Sequence, residues 1–148
     1  MGLFDFLKDA GEDLGKQEAE DERKKAASLA RQIEILGFKV KELQVGFDDG
    51  VVTVNGTTPS QEEREKVILT LGNIQGVARV DDQMVVEKPE PAAVFYTVQS
   101  GDSLSAIAKK HYGDASKYPV IFQANRPMLS DPNKIYPGQA LRIPKLDG

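Results

Sequence analysis

The chain has 148 residues, of which 40% are hydrophobic and 28% are charged, and its formal net charge is -4. This composition is typical of folded domains, and the length allows one ordinary domain or two small ones. The negative net charge argues against nucleic acid as a partner, and the absence of cysteine excludes disulfides, thiolate metal sites and cysteine nucleophiles.

Residues 1–15 predict a short amphipathic helical segment that packs on a neighbouring domain. Its apolar residues recur at helical spacing: Leu3, Leu7, Ala10 and Leu14. Asp5 and Asp9 interrupt the apolar stretch, which lacks the basic and continuous apolar parts of a secretory signal. The chain also has no apolar run long enough to span a membrane. We therefore expect a cytoplasmic protein with no membrane partner.

Residues 16–87 carry the pattern of an αββαβ domain. Apolar positions within residues 20–36 form one helical stripe, and Gly37 follows where a left-handed residue typically ends a helix. Alternating apolar residues on both sides of Asp48-Asp49-Gly50 predict a β-hairpin, whose second strand ends before Asn55-Gly56.

A second helix and a third strand complete this first domain. Ser60 and Glu63 have the spacing of a capping box, and the helix that they begin is predicted to end at Gly72. The third strand is predicted from three apolar residues: Val80, Met84 and Val86. Two prolines then make residues 88–93 a semi-rigid linker, which separates this domain from the next.

Residues 94–148 predict a βααβ domain, so that the whole chain belongs to the α+β class. Its elements alternate with turn residues: a strand at Tyr96-Thr97-Val98, a helix capped by Asp102 and ended by Gly113, a helix near residues 116–125, and a strand at Leu141-Arg142-Ile143. Pro119 is tolerated because it falls in the first turn of the second helix.

Three stretches of the second domain resemble the LysM family: YTVQSGDSLSAIAKKHYGD, IFQANRP and KIYPGQALRIP. The resemblance implies a shallow groove for glycans that contain N-acetylglucosamine. The residues that would line it are Asp102, Ser103, Leu104, Asn125, Pro127 and Ile135. The same positions also serve as helix cap, turn and core in this fold, so the motif alone leaves glycan binding open.

The first domain resembles the BON family through DDGVVTVNG and GNIQGVARVDD. One BON domain followed by one LysM domain, after a GLF start, resembles the cytoplasmic potassium-binding proteins of bacteria. That resemblance implies a non-enzymatic sensor that binds K+, Rb+ and Cs+ in preference to Na+ and becomes ordered on binding. We also expect a monomer. The implied ligands are main-chain carbonyls of two segments: Leu7, Ala10 and Glu12, with residues 1–15 completing the site, and Gly72, Ile74 and Val77.

Such a site is chemically reasonable, because carbonyls at helix ends have no partner within the helix and lie at its negative pole. Ordinary helix termination explains the same glycines without any ion. Other functions find less support. His111 is the sole histidine, and Asp48, Asp49, Asp81 and Asp82 lack the spacing of a calcium loop. The main alternative is a stress protein that binds peptidoglycan through the LysM domain.

Overall fold

The computed structural model describes residues 2–5 and 22–145. The first domain has the predicted αββαβ order, with one strand added before it and a short one after it. Its elements in chain order are β1 Gly2–Asp5, α1 Glu22–Ile35, β2 Lys41–Asp48, β3 Val51–Thr58, α2 Gln61–Gly72, β4 Arg79–Asp82 and β5 Val85–Val86. Within the described ranges the sheet order is β1-β4-β3-β2, and β5 also pairs with β3.

Both helices bury apolar side chains against this sheet, which places the core of the first domain between the helices and the strands. Ser60 caps α2 as predicted, because its hydroxyl accepts a hydrogen bond from the N–H of Glu63 at 3.1 Å. The Glu63 carboxylate accepts from the N–H of Lys39 at 3.0 Å, which ties the start of α2 to the segment entering β2.

The β2–β3 hairpin turns where the sequence predicted. Asp49 and Gly50 have φ angles of 49° and 81°, the positive values that a two-residue hairpin turn requires. The predicted end of β3 before Asn55 was wrong, because the strand continues to Thr58. Gly56 lies beside a register shift in β2, and a Cβ there would approach Val40 Cγ1 to 2.6 Å. Asn55-Gly56 therefore marks an irregularity within the ladder.

The N-terminus differs from its prediction. Residues 2–5 form a strand rather than the beginning of a helix, and β1 pairs antiparallel with β4, with Phe4 opposite Val80. This pairing covers main-chain groups of β4 that would otherwise lie at a sheet edge. Phe4 also packs against Phe95, with ring centroids 5.5 Å apart. The rest of the predicted helical segment, residues 6–15, lies outside the described residues.

The second domain has the predicted βααβ order. Its elements are β6 Val94–Thr97, α3 Leu104–Tyr112, a 3-10 helix Ala115–Lys117, α4 Tyr118–Ala124 and β7 Ala140–Ile143. β6 pairs antiparallel with β7, and the two helices pack on this ribbon to form a separate core. Gly113 ends α3 with a φ of 76°, as its position predicted. None of the helices in the described part of the chain is long and apolar enough to cross a membrane.

The two domains pack through α2 and β7, and the linker, residues 88–93, contains no helix or strand. The Arg142 guanidinium donates to the Glu65 carboxylate at 2.7 Å, and both side chains are at least nine-tenths buried. The second oxygen of Glu65 accepts from the N–H of Ala93 at 3.0 Å. A buried charge pair at the centre of the contact thus joins the BON-like and LysM-like halves.

Candidate functional site

The segment after α2 presents main-chain oxygens at a helix end. α2 ends at Gly72, and Asn73 is its C-cap. The next four residues form a turn in which the Ile74 carbonyl accepts from the N–H of Val77 at 3.1 Å. Gly76, the third residue of this turn, has a φ of +96°, where only glycine is free of strain. We call residues 72–77 the carbonyl turn.

Burial of side chains holds the main chain of the carbonyl turn in place. Ile74 and Val77 are 2% and 0% exposed and belong to the core of the first domain. Their side chains cannot reach solvent, so the chemistry that this segment can offer is that of its backbone. The carbonyl turn is consequently a fixed piece of main chain at the negative end of α2.

The Ile74 carbonyl of this turn can accept more than its one hydrogen bond. The Ile74 oxygen accepts one hydrogen bond, although a carbonyl has two lone pairs. The structure brings three of the predicted ligand residues together in one turn. The other three, Leu7, Ala10 and Glu12, lie outside the described residues.

The donor set of the carbonyl turn fits a monovalent ion better than a divalent one. Within residues 2–5 and 22–145, no group of three or more histidine or carboxylate side chains could hold a metal ion. Calcium and magnesium sites are usually built from carboxylates, whereas potassium can be held by a ring of neutral carbonyls. The residues present are thus compatible with potassium.

A side chain that the sequence did not single out fixes the carbonyl turn to the second domain. The Asn73 amide, 4% exposed, donates to the Ala140 carbonyl and accepts from the Ala140 N–H, both at 2.8 Å. The Tyr136 hydroxyl donates to the Asn73 carbonyl at 3.4 Å. In the sequence, polar Asn73 stands between apolar Leu71 and Ile74. This pattern could have indicated that Asn73 is buried with a hydrogen-bond partner.

The predicted glycan residues of the second domain are largely occupied by structural contacts. Asp102 does not cap α3, contrary to the prediction; Ser103 does, and its hydroxyl accepts from the N–H of Ala106 at 3.1 Å. The Asp102 carboxylate accepts from the Tyr96 hydroxyl at 2.6 Å and from the N–H of Gln99 at 2.8 Å. These bonds, the first above all, lower the pKa of Asp102 below its ordinary value of 3.8.

Asn125 and Leu104 are buried and unable to meet a glycan in this conformation. The Asn125 amide donates to the carbonyls of Ile121 and Arg142 at 2.8 and 2.9 Å and accepts from the Arg142 N–H at 2.7 Å. Leu104 is 2% exposed in the core, and Ile135 packs against the same core. Five of the six predicted groove residues, all except Pro127, therefore make contacts within the domain.

Pro127 lies in a cleft between the two domains. The cleft measures about 230 Å³, and its walls come from α1, α2 and the loops of the second domain. It is lined by Asn73 and Ile74 on one side and by Pro127, Met128 and Tyr136 on the other. The predicted glycan loop before β7 thus contributes to the wall that faces the carbonyl turn.

Comparison with known proteins agrees with this architecture. The BON domain family model matches residues 36–88, and the LysM domain family model matches residues 96–144. The chain is 48% identical to the potassium binding protein Kbp of Escherichia coli over 150 residues, which are 98% of this chain and 99% of that protein.

Two further relatives share less. An uncharacterized protein of Deinococcus radiodurans is 32% identical over 145 residues, which are 88% of this chain and 55% of that protein. An esterase of Mycobacterium tuberculosis is 52% identical over 53 residues, but these are 11% of the esterase. The match therefore covers only a small part of the esterase. The chain has a BON domain followed by a LysM domain and belongs to the family of the potassium binding protein Kbp.

Proposed function

We propose that this protein is a non-enzymatic potassium-binding protein of the bacterial cytoplasm. It binds K+, with Rb+ and Cs+ close behind, in preference to Na+, and becomes more ordered on binding. The observation that carries the proposal is the 48% identity to the potassium binding protein Kbp over nearly the full length of both chains. The carbonyl turn supplies a chemical reason for the same function.

The proposed ligands are main-chain oxygens from two segments of the chain. Gly72, Ile74 and Val77 contribute from the carbonyl turn, where buried side chains keep the backbone in a fixed arrangement. Leu7, Ala10 and Glu12 contribute from the N-terminal segment. Carbonyls can replace the water shell of a large monovalent ion, and the negative end of α2 adds a favourable potential.

A pair of deletions tests the proposal and the share of the N-terminal segment. A variant lacking residues 2–14 loses three proposed carbonyls together with β1. A variant lacking residues 2–5 loses β1 alone and is the matched control. Binding to the folded state should stabilise the full chain by about 2.7 kcal/mol at a potassium concentration a hundredfold above the dissociation constant.

Thermal melts in potassium chloride and in sodium chloride of equal ionic strength give the readout. The full chain and the control should melt higher in potassium chloride, although the control should be less stable in both salts. The longer deletion should melt alike in both. Identical melting of the full chain in the two salts would refute potassium selectivity. A potassium effect that survives the longer deletion would refute the N-terminal ligands.

Glycan binding is the second candidate, and the LysM match over residues 96–144 is the observation that favours it. The engagement of Asn125, Leu104 and Asp102 in structural contacts weighs against it. We expect purified peptidoglycan to retain the protein weakly or not at all in a pull-down. Strong retention that soluble chitin fragments compete away would favour the glycan function.

A further inference from the structure

A lysine ammonium lies against the carbonyl turn. Lys25 is in the first turns of α1, and its Nζ donates to the Gln75 carbonyl at 3.2 Å. The same Nζ lies 3.8 Å from the place that a Cβ on Gly76 would occupy. A positive charge carried by the chain itself therefore touches the middle of the turn that presents the proposed potassium ligands.

Among the described residues, this ammonium contacts a backbone oxygen. In the described part of the chain, no ion pair within 4.0 Å includes Lys25. Glu22, three residues before Lys25 on α1, has a partner elsewhere, because its carboxylate accepts from the N–H of Asp49 at 2.7 Å. Holding a long lysine side chain in one place costs conformational entropy. The contact thus indicates a favourable interaction with the carbonyl end of α2.

An ammonium group and a potassium ion make similar demands on such a turn. Each carries one positive charge, and each is satisfied by oxygen acceptors such as main-chain carbonyls. Two like charges near one turn repel each other, and protein surroundings screen that repulsion less than bulk water does. Lys25 can retreat into solvent because the side chain is only half-buried.

We infer that Lys25 is a tethered cation that competes with potassium for the carbonyl turn. In the absence of potassium its ammonium donates to the Gln75 carbonyl, next to the proposed ligand Ile74. When potassium binds, the ammonium must withdraw or remain as a repelling neighbour, so that Lys25 raises the potassium concentration needed for half-saturation. This inference rests on the proposed potassium-binding function and adds a residue that sets its affinity.

The test is a potassium titration of four proteins: the unaltered chain, Lys25→Met, Lys25→Arg and Lys109→Met. Lys109 is exposed on α3 of the other domain, so its replacement changes the net charge equally without touching the turn. Ionic strength is held constant with tetramethylammonium chloride, and binding is followed by calorimetry. Melting without potassium verifies that every variant folds.

The Lys25→Met variant should bind potassium about threefold to tenfold more tightly than the unaltered chain, the range expected for removing one partly screened charge. Lys25→Arg retains the charge and should bind like the unaltered chain, and so should Lys109→Met. Sodium binding should strengthen by the same factor as potassium binding in Lys25→Met, because repulsion between point charges does not depend on ionic radius. The ratio of the two affinities should therefore stay constant.

Two results would overturn the inference while leaving the proposed function intact. Equal potassium affinities of Lys25→Met and Lys109→Met would show that the ammonium does not compete. Weaker binding by Lys25→Met would show that Lys25 braces the turn for the ion. Absence of a potassium response in the unaltered chain and in every variant would refute the proposed function itself, and the inference with it.

Discussion

The carbonyl turn of the first domain offers main-chain atoms for chemistry. The LysM motif of the second domain would have to offer side chains. In residues 72–77 most side chains are buried, so the chemistry that this segment can offer is that of its main-chain oxygens. In the LysM motif the side chains already have hydrogen-bond partners. Asn125 accepts from the backbone of β7, and Asp102 accepts from the Tyr96 hydroxyl. A residue's place in a motif therefore does not show its function until the free atoms at that position are known.

The two regions meet at Asn73. Its main chain lies between the proposed ligands Gly72 and Ile74, whereas its side chain pairs with the backbone of Ala140 in β7. The LysM domain is thus in direct contact with the carbonyl turn. The comparison predicts that changes in the LysM motif alter stability, and that changes in the carbonyl turn alter ion binding.

The largest effect is expected from breaking the charge pair that holds the two regions together. Glu65→Ala leaves the Arg142 guanidinium buried without its carboxylate, so the free energy of unfolding should fall by about 3 to 5 kcal/mol. Urea denaturation measures this loss. The double variant with Arg142→Met should recover part of it, because the uncompensated charge is gone. A loss below about 1 kcal/mol, typical of an exposed pair, would mean that the interface does not form in solution.

A smaller loss of stability should follow from removing the buried amide side chain of the LysM motif. Asn125→Ala leaves the N–H and carbonyl of Arg142 without partners, which should cost about 2 to 3 kcal/mol. Asn133→Ala, at an exposed position in the same domain, is the matched control and should be nearly neutral. Thermal melts should still show stabilisation by potassium in both variants. Loss of peptidoglycan binding without loss of stability in Asn125→Ala would instead make this residue a glycan ligand.

Two glycines with nearly equal φ angles, one in each region, allow a direct comparison of the two regions. Gly76 in the carbonyl turn has a φ of +96°, and Gly101 in the LysM motif has a φ of +88°. Alanine at either position should cost about 1 to 2 kcal/mol of stability, because this conformation is strained for a residue with a Cβ. Only Gly76→Ala should weaken potassium binding in a calorimetric titration. Equal weakening by Gly101→Ala would show that ion affinity follows general stability.

The smallest effect concerns the Asp102 carboxylate and its dependence on pH. Its hydrogen bonds with Tyr96 and Gln99 hold its pKa below 3.8 in the folded protein, so they stabilise the fold above pH 3.8. That contribution disappears as the pH falls through the lowered pKa. Asp102→Asn should therefore cost about 0.5 kcal/mol at neutral pH, since the group is largely solvated. Urea melts at several pH values should show the difference vanishing in acid; a constant difference would contradict this role.

Local features of the fold were predictable from the sequence, and contacts between distant residues were not. The hairpin turn at Asp49-Gly50, the cap at Ser60 and the helix end at Gly113 follow from the backbone preferences of single residues. β1 was missed because short apolar runs fit both a helix and a strand, and pairing with β4 decides between them.

The site was predictable only in part for the same reason. The glycines of the carbonyl turn mark a helix end in any protein, and the family resemblance supplied their proposed role. Asn73 and Ala140 are 67 positions apart, and Glu65 and Arg142 are 77 positions apart. No local pattern links residues at such separations, although a charged Glu65 on the apolar face of α2 was a sign of a buried partner. Lys25 gave no sign at all, because its partner is a backbone oxygen.

The central claim is that potassium is recognised by backbone oxygens of the first domain and not by the LysM motif. An NMR titration of the amide resonances with potassium chloride and with sodium chloride at equal concentration tests it most directly. The amides of residues 72–77 and of residues 7–12 should shift with potassium and not with sodium, while those around Asp102 and Asn125 stay in place. Equal shifts with both salts, or shifts confined to the LysM motif, would contradict the account.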